Sequence, residues 1–107
     1  MFISIHKIDG AFQIAENTNE NTKSLFCTEK EVESYLENKE IDMLKVVYFE
    51  KSIRYDMDFE KIILEYDNFP IEAQTSATKK EITEIIQIEI ETFLSSREAW
   101  YLTVSFK

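Results

Sequence analysis

The sequence predicts an α+β fold: a mainly antiparallel sheet of about five strands, in the order ββ-α-ββ-α-β, with two helices packed on one face. Three observations predict it. Several short stretches place apolar residues at every second position, while two longer ones place them at i, i+3 and i+4. Each of the two longer stretches opens on a Thr-x-x-Glu sequence, the signature of a helix N-terminus. Strands and helices do not alternate regularly along the chain, as a doubly wound parallel sheet requires. The length of 107 residues is that of one domain, expected to span 1–107.

Asp9-Gly10 lies between Ile3-x-Ile5 and Phe12-x-Ile14, a strong local signal for a two-residue hairpin. In that register Ile5 faces Ile14 and Lys7 faces Phe12. Ile3, Ile5, Phe12 and Ile14 then share a buried face, and His6 lies on the other with Ser4, Ile8 and Gln13. The polar stretch from Asn17 to Ser24 reads as an exposed loop.

Thr28-Glu29-Lys30-Glu31 forms a capping box, with Cys27 and Val32 placed as a hydrophobic staple. A helix over about 28–39 follows, burying Val32, Tyr35 and Leu36. Met43 to Phe49 is β-branched and aromatic with apolar residues on both faces, as expected of a central strand or of one covered by a partner. Ile53 to Phe59 alternates, and the alternation resumes in opposite phase at Ile62, Leu64 and Tyr66, so a bulge or turn is expected at Lys61. Asn68-Phe69-Pro70 breaks the strand, and Ala73 to Ala77 reads as a loop. Thr78-Lys79-Lys80-Glu81 then caps a second helix over about 79–95, whose apolar stripe is Ile82, Ile85, Ile86, Ile90 and Phe93. Trp100 to Phe106 alternates as a half-buried strand.

The net charge of −9, from 21 acidic and 12 basic side chains, disfavours direct contact with nucleic acid or anionic membrane and favours a basic protein partner. Residues 28–60 carry ten of the acids against five bases, so the charge is concentrated. A hydrophobic content of 44% with eight Phe and five Tyr argues against disorder. No apolar run approaches a membrane span, and Met1 to Gly10 lacks the basic start and apolar centre of a signal peptide, so a cytoplasmic location is expected. One cysteine and one histidine leave no cysteine or multi-histidine metal framework. No glycine-rich phosphate loop, nucleophile elbow or metalloprotease helix is present, so no cofactor and no catalytic residue is assigned.

Two carboxylate rows stand out. Glu29, Glu33 and Glu37 recur every four residues on the first helix, with Glu40 in the same direction if the helix persists. Such like-charge pairs cost an isolated helix about 0.2–0.5 kcal/mol each. Asp56, Asp58 and Glu60 line one side of a strand, an arrangement suited to a protein cation more than to one metal ion. Glu65 and Asp67 extend the patch if they lie on the returning strand. Tyr48 and Tyr55 are the expected aromatic anchors, because five tyrosines exceed what so small a core hides. Glu89 falls within the apolar stripe of the second helix: it snorkels at the edge, or the helix is offset near Gln87 to Glu91, or it is buried and calls for a partner, with His6, Lys7 and Arg97 as candidates.

In size, acidity and lack of catalytic motifs the chain resembles the small immunity proteins that block bacterial nuclease toxins, and the phage-encoded inhibitors that imitate DNA. The likeness is one of general character and transfers no residue. It implies an inhibitor that occludes a basic partner electrostatically and sterically. The alternative is a structural or regulatory interaction module, homodimeric through the second face of the Met43 to Phe49 strand. A small enzyme comes third.

Overall fold

The computed structural model describes residues 2–8, 10–17, 22–37, 39–66, 72–96 and 99–107. It is α+β, with an antiparallel sheet and two helices. The strands are β1 (Phe2–Ile8), β2 (Ala11–Asn17), β3 (Thr22–Cys27), β4 (Ile41–Tyr48), β5 (Lys51–Asp56), β6 (Lys61–Tyr66), β7 (Glu72–Ser76) and β8 (Ala99–Phe106), and the helices are α1 (Glu29–Leu36) and α2 (Lys79–Ser95). Among the described residues the strands form one eight-stranded sheet in the order β3-β2-β1-β8-β4-β5-β6-β7.

The expected sheet of about five strands is therefore corrected to eight, and the order of elements to βββ-α-ββββ-α-β. Three strands make the difference: β6 is set apart from β5 by a full turn where a bulge or turn was expected, and β3 and β7, both read as loops, are the edges. An edge strand pairs on one side only and needs little apolar periodicity, which is why the polar stretches at 17–24 and 73–77 read as loops. The chain forms two meanders, β1-β2-β3 and β4-β5-β6-β7, and each is followed by a helix that returns it from an edge to the middle. The last strand, β8, then joins the meanders by pairing with β1 and with β4.

The hairpin register is as expected, with Ile5 opposite Ile14 and Lys7 opposite Phe12. Gly10 takes φ +81°, a left-handed conformation open to glycine without steric penalty. Asp9, Asn68, Phe69, Pro70, Asp67 and Arg97 lie outside the described residues. Both capping boxes form. Glu31 N–H donates to Thr28 Oγ1 at 3.3 Å and Glu81 N–H to Thr78 Oγ1 at 3.2 Å, while each glutamate carboxylate accepts from its threonine's N–H.

One core holds the assembly together. Ile3, Ile5, Phe12, Ile14, Leu44, Val46, Tyr55, Leu102 and Val104 of the sheet pack with Val32 and Leu36 of α1 and Ile82, Ile86, Ile90, Phe93 and Leu94 of α2. Both helices thus cover the same face. Each buried aliphatic or aromatic side chain contributes about 1.5–3 kcal/mol. The opposite face carries Ser4, His6, Lys45, Val47, Ser52, Arg54, Ile63, Tyr101 and Thr103. As expected, β4 is central, between β8 and β5.

Two expectations about acidic rows change. β5 ends at Asp56 and residues 57–60 form a turn, so Asp56, Asp58 and Glu60 do not line a strand. The turn closes because Asp56 Oδ1 accepts the Phe59 N–H at 3.1 Å and Glu60 enters the left-handed region at φ 51°. It also produces the phase change expected before β6. α1 stops at Leu36, with Glu37 as an extended C-cap, so Glu40 leaves the helical row. An anion in the last turn opposes the helix dipole, and α1 carries no base there.

Candidate functional site

α1 and α2 lie over the sheet with a groove between them. Its acidic end, about 480 Å3, is lined by Glu33, Glu37 and Glu91 above an apolar floor of Leu36, Ile41 and Ile90. The three carboxylates are exposed while Leu36 and Ile90 are buried, so an incoming side chain meets charge at the rim and hydrocarbon beneath. A second cavity of about 410 Å3 shares Lys39, Ile41 and Gln87 with the first and adds Glu40, Lys79 and Lys107. The charge along the groove therefore changes from acidic at one end to basic at the other, over a partly apolar floor. Lys39 stands at the junction, its ammonium 4.7 Å from the ring centre of Tyr35 and 5.9 Å from that of Phe106.

Of the residues expected to bind a partner, Glu33 and Glu37 meet in this groove, and the fold adds Glu91, which sequence spacing could not join to them. Glu91 lies nine residues after Ile82 on α2, and only the packing of the two helices sets it beside α1. Glu40 lines the basic end. Glu29 stands at the other end of α1, beside Lys7 and Gly10, in a separate cavity. Asp56, Asp58 and Glu60 cluster at the β5–β6 turn; its Met57 lines the basic end, but none of the three carboxylates lines either cavity.

At that turn Asp58 comes close to Asp42, a residue the sequence did not single out. Burial pushes the Asp42 carboxyl above the usual aspartate range, the neighbouring Asp58 pushes the same way, and Lys107 opposes them. Asp42 sits where the β4–β8 register shifts between Ile41 and Met43, and its Oδ1 is buried without a hydrogen-bond partner. A local irregularity in pairing brought this carboxylate inward.

The aromatic anchors fall differently from expectation. Tyr55 is in the core, so the expectation that it stays at the surface is corrected. Its hydroxyl and that of Tyr48 converge on Glu89, with Tyr48 donating at 2.9 Å. Burial, the Glu89 charge and the hydrogen bond to it push the Tyr55 hydroxyl up. Glu89 thus finds its partner in a phenol with a second one nearby, and two of the cations expected for it, Lys7 and His6, lie elsewhere. Lys7 donates to the Ser96 carbonyl and sits over Phe93, and His6 stacks on Tyr101 on the open face. Exposed aromatics include Phe26, Phe59 and Tyr66, and Phe49 and Trp100, which pack edge to face at 5.5 Å.

Cys27 and His6 point to opposite faces of the sheet, and burial pushes the Cys27 thiol up, away from the reactive thiolate. Among the described residues no group of three or more His, Cys, Asp or Glu is arranged to hold a metal ion, and no helix is long and apolar enough to cross a membrane. No protein-family description matches the chain, and no curated protein or solved structure matches it.

Proposed function

We propose that the chain is a binding protein that neutralises a basic protein partner by electrostatic and steric occlusion, in the manner of an immunity protein acting on a nuclease toxin. The observation that carries this reading is the inter-helix groove, where Glu33, Glu37 and Glu91 stand over an apolar floor. Lysine and arginine suit such a site on two counts: the charged head meets the carboxylates and the aliphatic stem lies on Leu36 and Ile90. Opposite fields also steer association, so the groove raises the rate of encounter with a nuclease whose own cleft is basic. The basic end at Lys79 and Lys107 sets the direction in which a partner segment lies.

The test is capture of a basic protein by the immobilised chain, followed by the binding kinetics of the pair. Association slows steeply with salt, and the triple reversal Glu33→Lys, Glu37→Lys, Glu91→Lys weakens binding at least about tenfold. Glu60→Lys, outside the acidic end of the groove, leaves it within about twofold. Unchanged binding in the triple variant rejects the groove as the site.

A self-associating interaction module is the second reading, favoured by the edge strand β3, where Leu25 and Phe26 are 57% and 63% exposed. The end of this edge formed by Leu25, Phe26 and Cys27 carries no charge, and an apolar edge segment is a template for strand pairing. The expected homodimer contact moves from the face of β4 to this edge, since Tyr48 is tied to Glu89. Light scattering decides: a dimer that Leu25→Lys dissociates supports this reading, and a monomer removes it.

A further inference from the structure

The geometry points to a phosphate-binding site on the open face of the sheet, centred on Lys45 and Arg54 and independent of the helical groove. The two cations are directly opposite in the β4–β5 register. Their row continues through Thr103 on β8 to Ser4 on β1, and through Ile63 on β6 to Gln74 on β7. Like charges at directly opposed positions destabilise a sheet. Arg54 Nε is in addition buried and hydrogen-bonds to nothing, so a desolvated donor is left unpaired.

The carboxylates on this face do not relieve the pair. Asp56 lies in the next row with Oδ1 engaged by the Phe59 N–H, and Glu65 stands opposite Ser52 and Glu72. Neither makes an ion pair with Lys45 or Arg54 among the described residues. The surroundings are also partly dry: Val47, Ser52 and Ile63 on the same face are 8%, 4% and 5% exposed although no helix covers them. Charge interactions are stronger in such a setting than in water.

Two uncompensated positive charges at one point match a phosphate, which carries close to two negative charges at neutral pH, better than a single carboxylate. The planar arginine fork and the compact lysine ammonium are the two side chains that bind phosphate oxygens, and the Thr103 and Ser4 hydroxyls add donors in the same row. The net charge of −9 opposes a polynucleotide, so the ligand class is a small phosphate-bearing molecule.

The chain has two arginines, Arg54 and Arg97, so its Nε–H NMR signals are assigned with Arg97→Lys. Titration with inorganic phosphate at fixed ionic strength is expected to shift the Arg54 signal saturably, while chloride leaves it in place. Lys45→Glu, which turns the like pair into an opposite one, is expected to raise the melting temperature and to weaken the phosphate response at least about tenfold. If that variant loses its dispersed amide spectrum, Lys45→Met takes its place with the same expected loss. An Arg54 signal indifferent to phosphate, an equal shift with chloride, a response retained in the Lys45 variants, or tighter binding of a single-stranded oligonucleotide would each overturn the proposal.

Discussion

On the helix-covered face of the sheet, Ile3, Ile5, Leu44, Val46, Leu102 and Val104 are fully withdrawn from solvent. One position along the same strands, Ser4, His6, Lys45, Tyr101 and Thr103 are half-buried and polar. The first face is covered by a second layer. The second face covers itself, since Val47 and Ile63 are buried there yet lie outside the core cluster. Neighbouring side chains such as Lys45, Arg54 and Tyr101 flank them in register and can lay their apolar parts over them. The difference separates two kinds of charged surface. On the helices the carboxylates are solvated, and in the proposed function they act at long range on a partner. On the open face the cations are partly desolvated, and in the proposed phosphate site they act at short range on a ligand.

The sharpest way to break this contrast is to truncate adjacent residues of β8. Leu102→Ala, on the covered face, is expected to lower the unfolding free energy by about 3 kcal/mol, whereas Thr103→Ala changes it by less than about 1 kcal/mol. Denaturant titration of both variants checks it, and equal losses would mean that the open face is as much a core as the other. Next in size are the caps that fix the covering layer. Thr28→Ala and Thr78→Ala should each lose about 1 kcal/mol, with helicity lost from α1 first because it has only eight residues.

A smaller effect is expected where the sheet ends in the β5–β6 turn. Because the Asp42 carboxyl is pushed up, the folded protein holds its proton more tightly than the unfolded chain does. The stabilisation this gives is complete below the ordinary aspartate value and is lost as pH rises through the raised one. Asp42→Asn should therefore raise the melting temperature at neutral pH, and the gain should shrink as the buffer falls below pH ~4. A variant less stable than wild type at neutral pH would show that the carboxylate is needed in its charged form.

The last test concerns the phenols held by glutamates. Burial, the hydrogen bond to Glu16 at 2.6 Å and the Glu16 charge push Tyr35 up to about 12. Its contribution to stability is complete below about pH 10 and declines toward that higher value. Ultraviolet titration should find Tyr35 and Tyr55 ionising late, above the ordinary phenol value of about 10. Tyr35→Phe should remove the Tyr35 share of that late step at a cost of about 1 kcal/mol.

Legibility in the sequence followed the range of the interactions. The Asp9-Gly10 register, both threonine caps, the bounds of α2 and the turn before β6 depend on neighbours a few residues apart, and local chemistry was enough to foresee them. The edges were not foreseen, because Thr22–Cys27 and Glu72–Ser76 become strands by docking their backbones on β2 and β6, with little apolar pattern of their own. The candidate site was half legible. Glu33 and Glu37 could be read from helical spacing, but Glu91 joins them only through the packing of α2 against α1. Tyr55 misled because its alternation gave its face correctly without saying that α2 would bury that face.

By itself the sequence determined which stretches become helices, which alternate as strands, which residues turn toward the core, and that the molecule carries a concentrated negative charge. All of these are set within a few residues or by simple summation. Only the tertiary structure decided that β8 enters the middle of the sheet, that carboxylates of two helices share one groove, that Glu89 meets two tyrosines, and that Lys45 and Arg54 stand opposed on an uncovered face. Those arrangements depend on which strand edges and helix faces come together, a choice made by the burial of the whole core.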